Sequence, residues 1–152
     1  MEVVMKVFVT GVAGQLGHDV MNELAKRGYE GIGTDIAPEY SGAADGTAVV
    51  SMPYVSLDIT DADAVDRVIC EMNPDVVVHC AAWTAVDLAE DEDKKDKVHA
   101  INADGTANIA KACKKTGSKM VYISTDYVFD GQGTTPWTPD CKDYKPLNVY
   151  GQ

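Results

Sequence analysis

Nowhere in the chain do apolar residues run uninterrupted for the roughly 18 positions that a membrane-spanning helix needs. The apolar opening, Met5-Lys6-Val7-Phe8-Val9-Thr10, is too short for a span. It leads into glycine-rich sequence rather than a small-residue cleavage site, so no export signal is expected. Basic residues are scarce: 13 Lys and Arg face 24 Asp and Glu, a net charge of -11. Phosphate polymers and anionic lipid surfaces would be repelled, so neither nucleic acid nor membrane is an expected partner. Cysteine is limited to Cys70, Cys80, Cys113 and Cys141, with no C-x-x-C pair. Three of them lie in apolar stretches where a thiol packs as a small hydrophobe, which fits a reducing cytoplasm. His18, His79 and His99 lack metal-ligand spacing and no G-x-S-x-G occurs, so neither a metal site nor a nucleophilic hydrolase is expected.

What the chain does have is the composition of an ordinary globular domain, 152 residues with 45% hydrophobic and 24% charged. That length suffices to bury about 70% of the surface the unfolded chain exposes. Short β-branched runs at Met5 to Thr10, Gly31 to Asp35, Tyr54 to Asp58, Asp75 to Cys80 and Lys119 to Ser124 each predict a strand. Val76-Val77-Val78 and Val121-Tyr122-Ile123 do not alternate with polar residues, so both predict strands covered on two faces, as in a parallel sheet between helices. Leu16, Val20 and Leu24 fall on one face of a first helix that stops at Lys26-Arg27-Gly28. Asp61 to Met72 predicts a second helix, ended by Asn73-Pro74, and Val98 to Lys115 one longer helix. The acidic and basic residues of Asp87 to Lys97 predict a solvated helical face or helix start. Three prolines and two glycines between Asp126 and Leu147 predict a long functional loop. The expected architecture is one α/β domain over residues 1–152, a doubly wound parallel sheet of the Rossmann type.

The sharpest local signal is Gly11-Val12-Ala13-Gly14-Gln15-Leu16-Gly17, a G-x-x-G-x-x-G placed after the first strand and opening the first helix. Glycines there permit a tight turn and close approach of a pyrophosphate, while free backbone N–H groups and the helix dipole attract the anion. No acidic residue occurs from Val3 to His18. Asp35, 18 positions after Gly17, ends the next strand and is placed to accept hydrogen bonds from an adenosine ribose while repelling a 2'-phosphate. From Gly28 to Asp66 there is no Lys or Arg, so NAD(H) is expected in preference to NADP(H). Asp58, followed by Ile59, is explained equally by an adenine contact and by a turn or helix cap.

Four segments then carry a resemblance. Thr10 to Gly17, Cys80-Ala81-Ala82-Trp83-Thr84-Ala85-Val86-Asp87, Ser124-Thr125-Asp126-Tyr127-Val128-Phe129-Asp130-Gly131 and Pro146-Leu147-Asn148-Val149-Tyr150-Gly151 resemble the extended short-chain dehydrogenase/reductases, and within them the dTDP-4-dehydrorhamnose reductase family. The resemblance implies a cytoplasmic oxidoreductase that reduces the 4-keto group of a nucleotide sugar with a nicotinamide cofactor. It implies Tyr150 as proton donor and Thr125 as the hydroxyl orienting the carbonyl. It also places Gly11, Ala13, Gly14, Gln15, Leu16, Gly17, Asp35, Asp58, Ile59, Ala81, Ala82 and Thr84 at the cofactor, and Val86, Asp87 and Tyr127 at the substrate. Without the resemblance, Thr125 reads as a strand-end cap, Tyr127 and Tyr150 as packing aromatics, and Asn102 as a side chain satisfying backbone groups.

The family pattern demands a Lys four positions after Tyr150, beyond Gln152. The expectation is therefore an N-terminal portion without that lysine, the later strands or the substrate lobe, inactive or very slow by itself. An uncovered sheet edge beside the fifth strand would follow, which leaves a homodimer open. Two other functions stay open: a non-catalytic nucleotide-binding regulator like the methionine adenosyltransferase regulatory subunit, and an NAD-dependent sugar-nucleotide epimerase or dehydratase.

Overall fold

The structure, a computed structural model, describes residues 4–42 and 51–152. Five strands form one parallel sheet: β1 (Lys6–Thr10), β2 (Glu30–Asp35), β3 (Tyr54–Ser56), β4 (Val76–His79) and β5 (Lys119–Tyr122). Their order is β3-β2-β1-β4-β5. Helix α1 (Gln15–Lys26) links β1 to β2, and α2 (Ala62–Met72) links β3 to β4. The run leading to β5 is α3 (Lys95–His99), a π turn (Ala100–Gly105) and α4 (Thr106–Thr116). The winding reverses between β1 and β4, which is where an open parallel sheet leaves a crevice at the carboxyl ends of its strands. The expected doubly wound architecture is thus the one observed.

β1 is central, so both of its faces are covered. Val7 and Val9 enter a cluster with Val12 and Met21 on the α1 side. Phe8 enters the other cluster, with Ile32, Val65, Ile69, Val77 and Ile109, under α2 and α4. On β2 the residues facing α1 are Gly31 and Gly33, and a Cβ on Gly33 would stand 2.8 Å from the Met21 methyl and 3.1 Å from Val12. Its missing side chain lets the helix settle onto the sheet. Helix α2 is delimited by its own sequence: Asp61 accepts a hydrogen bond from the Ala64 N–H (3.0 Å), and Asn73 takes the left-handed conformation (φ 42°) after the last turn.

Three expectations need correction. The inward stripe of α1 is Gly17, His18 and Met21, with Val20 and Leu24 half-buried, whereas Leu16 is exposed. Leu16 lies in the first turn, which overhangs the crevice before the helix reaches the sheet. The helix expected over 98–115 is continuous but is not α-helical throughout, since it passes through the π turn. There the Thr106 hydroxyl donates to the Asn102 carbonyl (2.7 Å), and the bare Gly105 sits against Ile59, where a Cβ would come within 2.8 Å. Finally, Val121, Tyr122 and Ile123 are not covered on two faces but stay about half exposed. β5 closes one end of the sheet, and among the described residues only its β4 side is paired.

Replacing Asp61 with Ala removes the α2 cap, and urea unfolding should show a loss of about 1 kcal/mol. An unchanged midpoint would mean that the cap carries no stability.

Candidate functional site

A cavity of about 580 Å³ opens where the winding reverses. Its floor is the turn from β1 into α1. Gly17 packs so tightly on this turn that a Cβ would lie 2.2 Å from the Gly11 carbonyl oxygen, so only glycine lets the helix begin here. Gly14 is the N-cap, with no side-chain cap and no acidic residue in the first helical turn. The first N–H groups of a helix have no intrahelical partners, and Gln15, Leu16 and Gly17 line the cavity beside Gly14, whose own N–H donates to the Gly11 carbonyl (3.1 Å). A Cβ on Gly14 would meet only the Gly11 oxygen, at 3.4 Å, so the crevice is open above it. Unpaired amides and the positive end of the helix dipole make this floor fit an anionic diphosphate.

Asp35, at the end of β2, lines the same cavity half-buried. Its carboxylate accepts from the Ala13 N–H (3.0 Å) and the Ile36 N–H (2.8 Å). Ala13 therefore meets the site through Asp35 rather than lining the cavity. The Tyr54 hydroxyl reaches the carbonyls of Asp35 and Ala37. Burial first, and then the charge of Asp35, push the Tyr54 phenol above its ordinary pKa, so it stays a neutral donor. Asp58 lines the cavity but also closes its own turn, accepting from the N–H and hydroxyl of Thr60. The turn reading that the sequence left open for it is the one observed. Ile59 is buried between the cavity and Gly105.

The far wall is Ala81, Ala82 and Thr84, carried on the segment after β4. This segment is held by a buried chain of hydrogen bonds whose direction is fixed. The Thr10 hydroxyl accepts from the N–H groups of Cys80 and Ala81, both 3.1 Å, so its own proton goes to His79 Nδ1 (2.7 Å). The ring proton then sits on Nε2, donated to the Thr106 hydroxyl (3.0 Å), which donates to the Asn102 carbonyl. The Asn102 amide clamps the Trp83 backbone on both sides, accepting from its N–H (2.7 Å) and donating to its C=O (3.0 Å). Burial lowers the His79 pKa to about 4, so the imidazole is neutral. This is the backbone-satisfying role that the sequence allows for Asn102, whereas no spacing or motif marks His79 and Thr10 for theirs. Thr10, Thr34, Ile36, Leu57, His79, Cys80, Ile101, Ile123 and Ser124 also line the cavity. Position at a strand's carboxyl end was the one signal available for several of them.

A second cavity of about 590 Å³ adjoins the first, the two sharing Ala81, Ala82, Ile123, Ser124 and Tyr150. Thr125 and Tyr150 both line it. Thr125 also caps the turn Asp126–Val128 by accepting from the Tyr127 N–H (3.2 Å), the structural role that its sequence allowed. Tyr127 is exposed and meets the Tyr150 ring edge-on, centroids 5.6 Å apart. Val86 and Asp87 line neither cavity: they begin the 3₁₀ turn Asp87–Glu90, where Asp87 faces solvent. The loop after Thr125 is not featureless. Phe129 stacks on Trp137 (4.4 Å) and leans on Tyr144 (5.7 Å), folding the loop back on itself.

The family model described as the RmlD substrate binding domain matches residues 5–152. The chain belongs to this family. Within this RmlD-family chain, the matched residues build the parallel sheet and both cavities just described. It is 36% identical over 148 residues to a dTDP-4-dehydrorhamnose reductase of Mycolicibacterium smegmatis, covering 97% of this chain and 38% of that protein. It is 32% identical to methionine adenosyltransferase 2 subunit beta of Pongo abelii, over 97% of this chain and 40% of the relative. The chain therefore spans about two fifths of the length of these relatives. Among solved structures, a dTDP-4-dehydrorhamnose reductase from Bacillus anthracis in complex with NADP aligns with a TM-score of 0.77 and 35% identity, over 98% of this chain and 46% of that one. The Bordetella bronchiseptica enzyme WbmG, in complex with NAD and UDP, aligns with a TM-score of 0.80 and 27% identity over the same shares.

Because His79 is pushed down from 6.5 to about 4, the unfolded chain binds more protons than the native one between those values. The stabilisation is therefore complete above pH 6.5, and about 3 kcal/mol of it is lost as pH falls to 4. Nitrogen NMR of the His79 ring should show the Nε2–H tautomer at neutral pH and a midpoint near 4. A midpoint at the ordinary value would overturn the neutral-imidazole chain.

Proposed function

We propose that this chain carries the dinucleotide site of a dTDP-4-dehydrorhamnose reductase, which reduces the 4-keto group of dTDP-4-dehydro-L-rhamnose to give dTDP-L-rhamnose. The observation that supports it most is the adjoining of two cavities, one floored by the free amides of α1 and the other lined by both Thr125 and Tyr150. A bound reduced nicotinamide supplies hydride. The amides of residues 15–17 bind the diphosphate, and Asp35 accepts from the adenosine ribose while Asp58 and Ile59 flank the base. Ala81, Ala82 and Thr84, small at the wall, leave room for the ring and the sugar. Negative charge developing on the ketone oxygen needs a hydrogen-bond donor and then a proton. The Thr125 hydroxyl orients that oxygen and the Tyr150 phenol gives it the proton. Tyr127, Val86 and Asp87 are proposed on the nucleotide-sugar side, Tyr127 by its contact with Tyr150.

NADH is proposed over NADPH because neither Lys nor Arg lines the first cavity, while Asp35 does. The reductase from Bacillus anthracis was solved with NADP, so the choice between the two cofactors is to be tested on this chain directly. A regulatory, non-catalytic role is the second reading, favoured only by the similarity to methionine adenosyltransferase 2 subunit beta.

Calorimetric titration should show NADH binding more tightly than NADPH. Asp35→Asn keeps an acceptor for the Ala13 amide but removes the charge, and should narrow that gap by about tenfold. Tighter binding of NADPH by the unaltered chain would sink the Asp35 assignment. In the whole gene product, Tyr150→Phe should lower kcat for reduction of the keto sugar by roughly 100-fold or more. Cofactor binding without any turnover of that sugar would favour the regulatory reading.

A further inference from the structure

We infer that Glu90 is a positioning residue for Tyr150: its carboxylate fixes the turn that presents the phenol to the second cavity. This rests on the reductase reading above, but its structural half stands apart from it. Tyr150 sits in the middle of a 3₁₀ turn, Val149–Gly151. The chain arrives extended at Asn148 (φ -140°, ψ 167°), whose side chain accepts from the Gly151 N–H at 2.8 Å. Gly151 is pressed against the preceding loop, where a Cβ would stand 2.2 Å from the Tyr127 carbonyl oxygen. The first amide of the turn, Val149 N–H, donates to Glu90 Oε1 at 2.7 Å, across 59 positions of sequence.

Glu90 is presented by a rigid element. It ends the 3₁₀ turn Asp87–Glu90, which is anchored by the fully buried Ala89, whose N–H donates to Ala85 and Val86 carbonyls. Among the surrounding charges, Lys95 pairs with Glu92 (2.6 Å) while also attracting Glu90 electrostatically, and Lys94 pairs with Asp93. A carboxylate accepting from an amide is a charge-assisted bond, stronger than the neutral contacts usual in loops. With the backbone held on both sides of Tyr150, the phenol retains only its side-chain rotations, and the edge-on Tyr127 ring restricts those. The charged segment thus carries one residue whose carboxylate reaches the turn that bears Tyr150. Misplacing a proton donor by an ångström costs rate without weakening cofactor binding, since the cofactor floor lies on α1.

The test compares Glu90→Ala with Glu90→Gln, which keeps an acceptor at the same reach. In this chain, hydrogen exchange at the Val149 amide should quicken about tenfold in the Ala variant and return to the unaltered rate in the Gln variant. In the whole gene product, Glu90→Ala should lower kcat about tenfold with the NADH dissociation constant unchanged, and Glu90→Gln should restore most of it. Unchanged exchange in Glu90→Ala, or faster exchange with unaltered kcat, overturns the inference. Should the unaltered product fail to reduce the keto sugar, the reductase reading falls alone. Val149 exchange and the Tyr127–Tyr150 ring contact, followed by nuclear Overhauser effects, then decide whether Glu90 holds the turn.

Discussion

The hydroxyl of Thr10 is the point on which the crevice turns. Buried completely at the end of the central strand, it accepts two amide hydrogens from the segment after β4 and gives its own to His79. Those two amides would otherwise be unpaired in the interior, and the cost of that is what holds Cys80 and Ala81 against the glycine turn. The closeness is visible at Gly11, where a Cβ would come within 2.6 Å of the Ala81 nitrogen. The floor and the far wall of the cavity are thereby one unit, and an uncharged His79 is required for it, since Nδ1 must accept.

From His79 the same chain passes through Thr106 to the π turn, and from Asn102 to Trp83. π turns often accompany functional sites because they re-aim side chains without ending the helix. Here the re-aiming brings Asn102 onto the backbone that borders both cavities. Asp35 does a related double duty on the opposite side, holding the Ala13 amide while facing the crevice. A side chain already held in place by the loop has little left to reorganise, which lowers the ordering cost of any ligand it meets in the crevice.

Much of the architecture was legible because it rests on local chemistry. The β-branched runs, the Asp61 cap, the Asn73-Pro74 stop and the glycine spacing each act within a few residues, so all five strands and the first two helices fell within a few positions of their places. The glycine turn and Asp35 were also readable, since strand, turn and helix are consecutive. Leu16 misled because apolar periodicity cannot tell a core from a crevice, and Leu16 faces the latter. Val121, Tyr122 and Ile123 misled because a continuous apolar strand looks the same at the centre of a sheet and at its end. The π turn was hidden because its causes, Ile59 beneath Gly105 and His79 beside Thr106, come from other parts of the chain.

The alternation of strands and helices, the anion-ready start of α1 and the acid at the end of β2 are thus written locally in the chain, since short-range sterics and helix termini depend only on neighbours. That Thr125 and Tyr150 border one cavity, that His79 is neutral and that Glu90 reaches the Val149 amide became visible with the folded molecule. Each of these depends on distance, burial and hydrogen-bond direction between residues far apart in the chain, and those quantities exist only once the sheet has closed around β1.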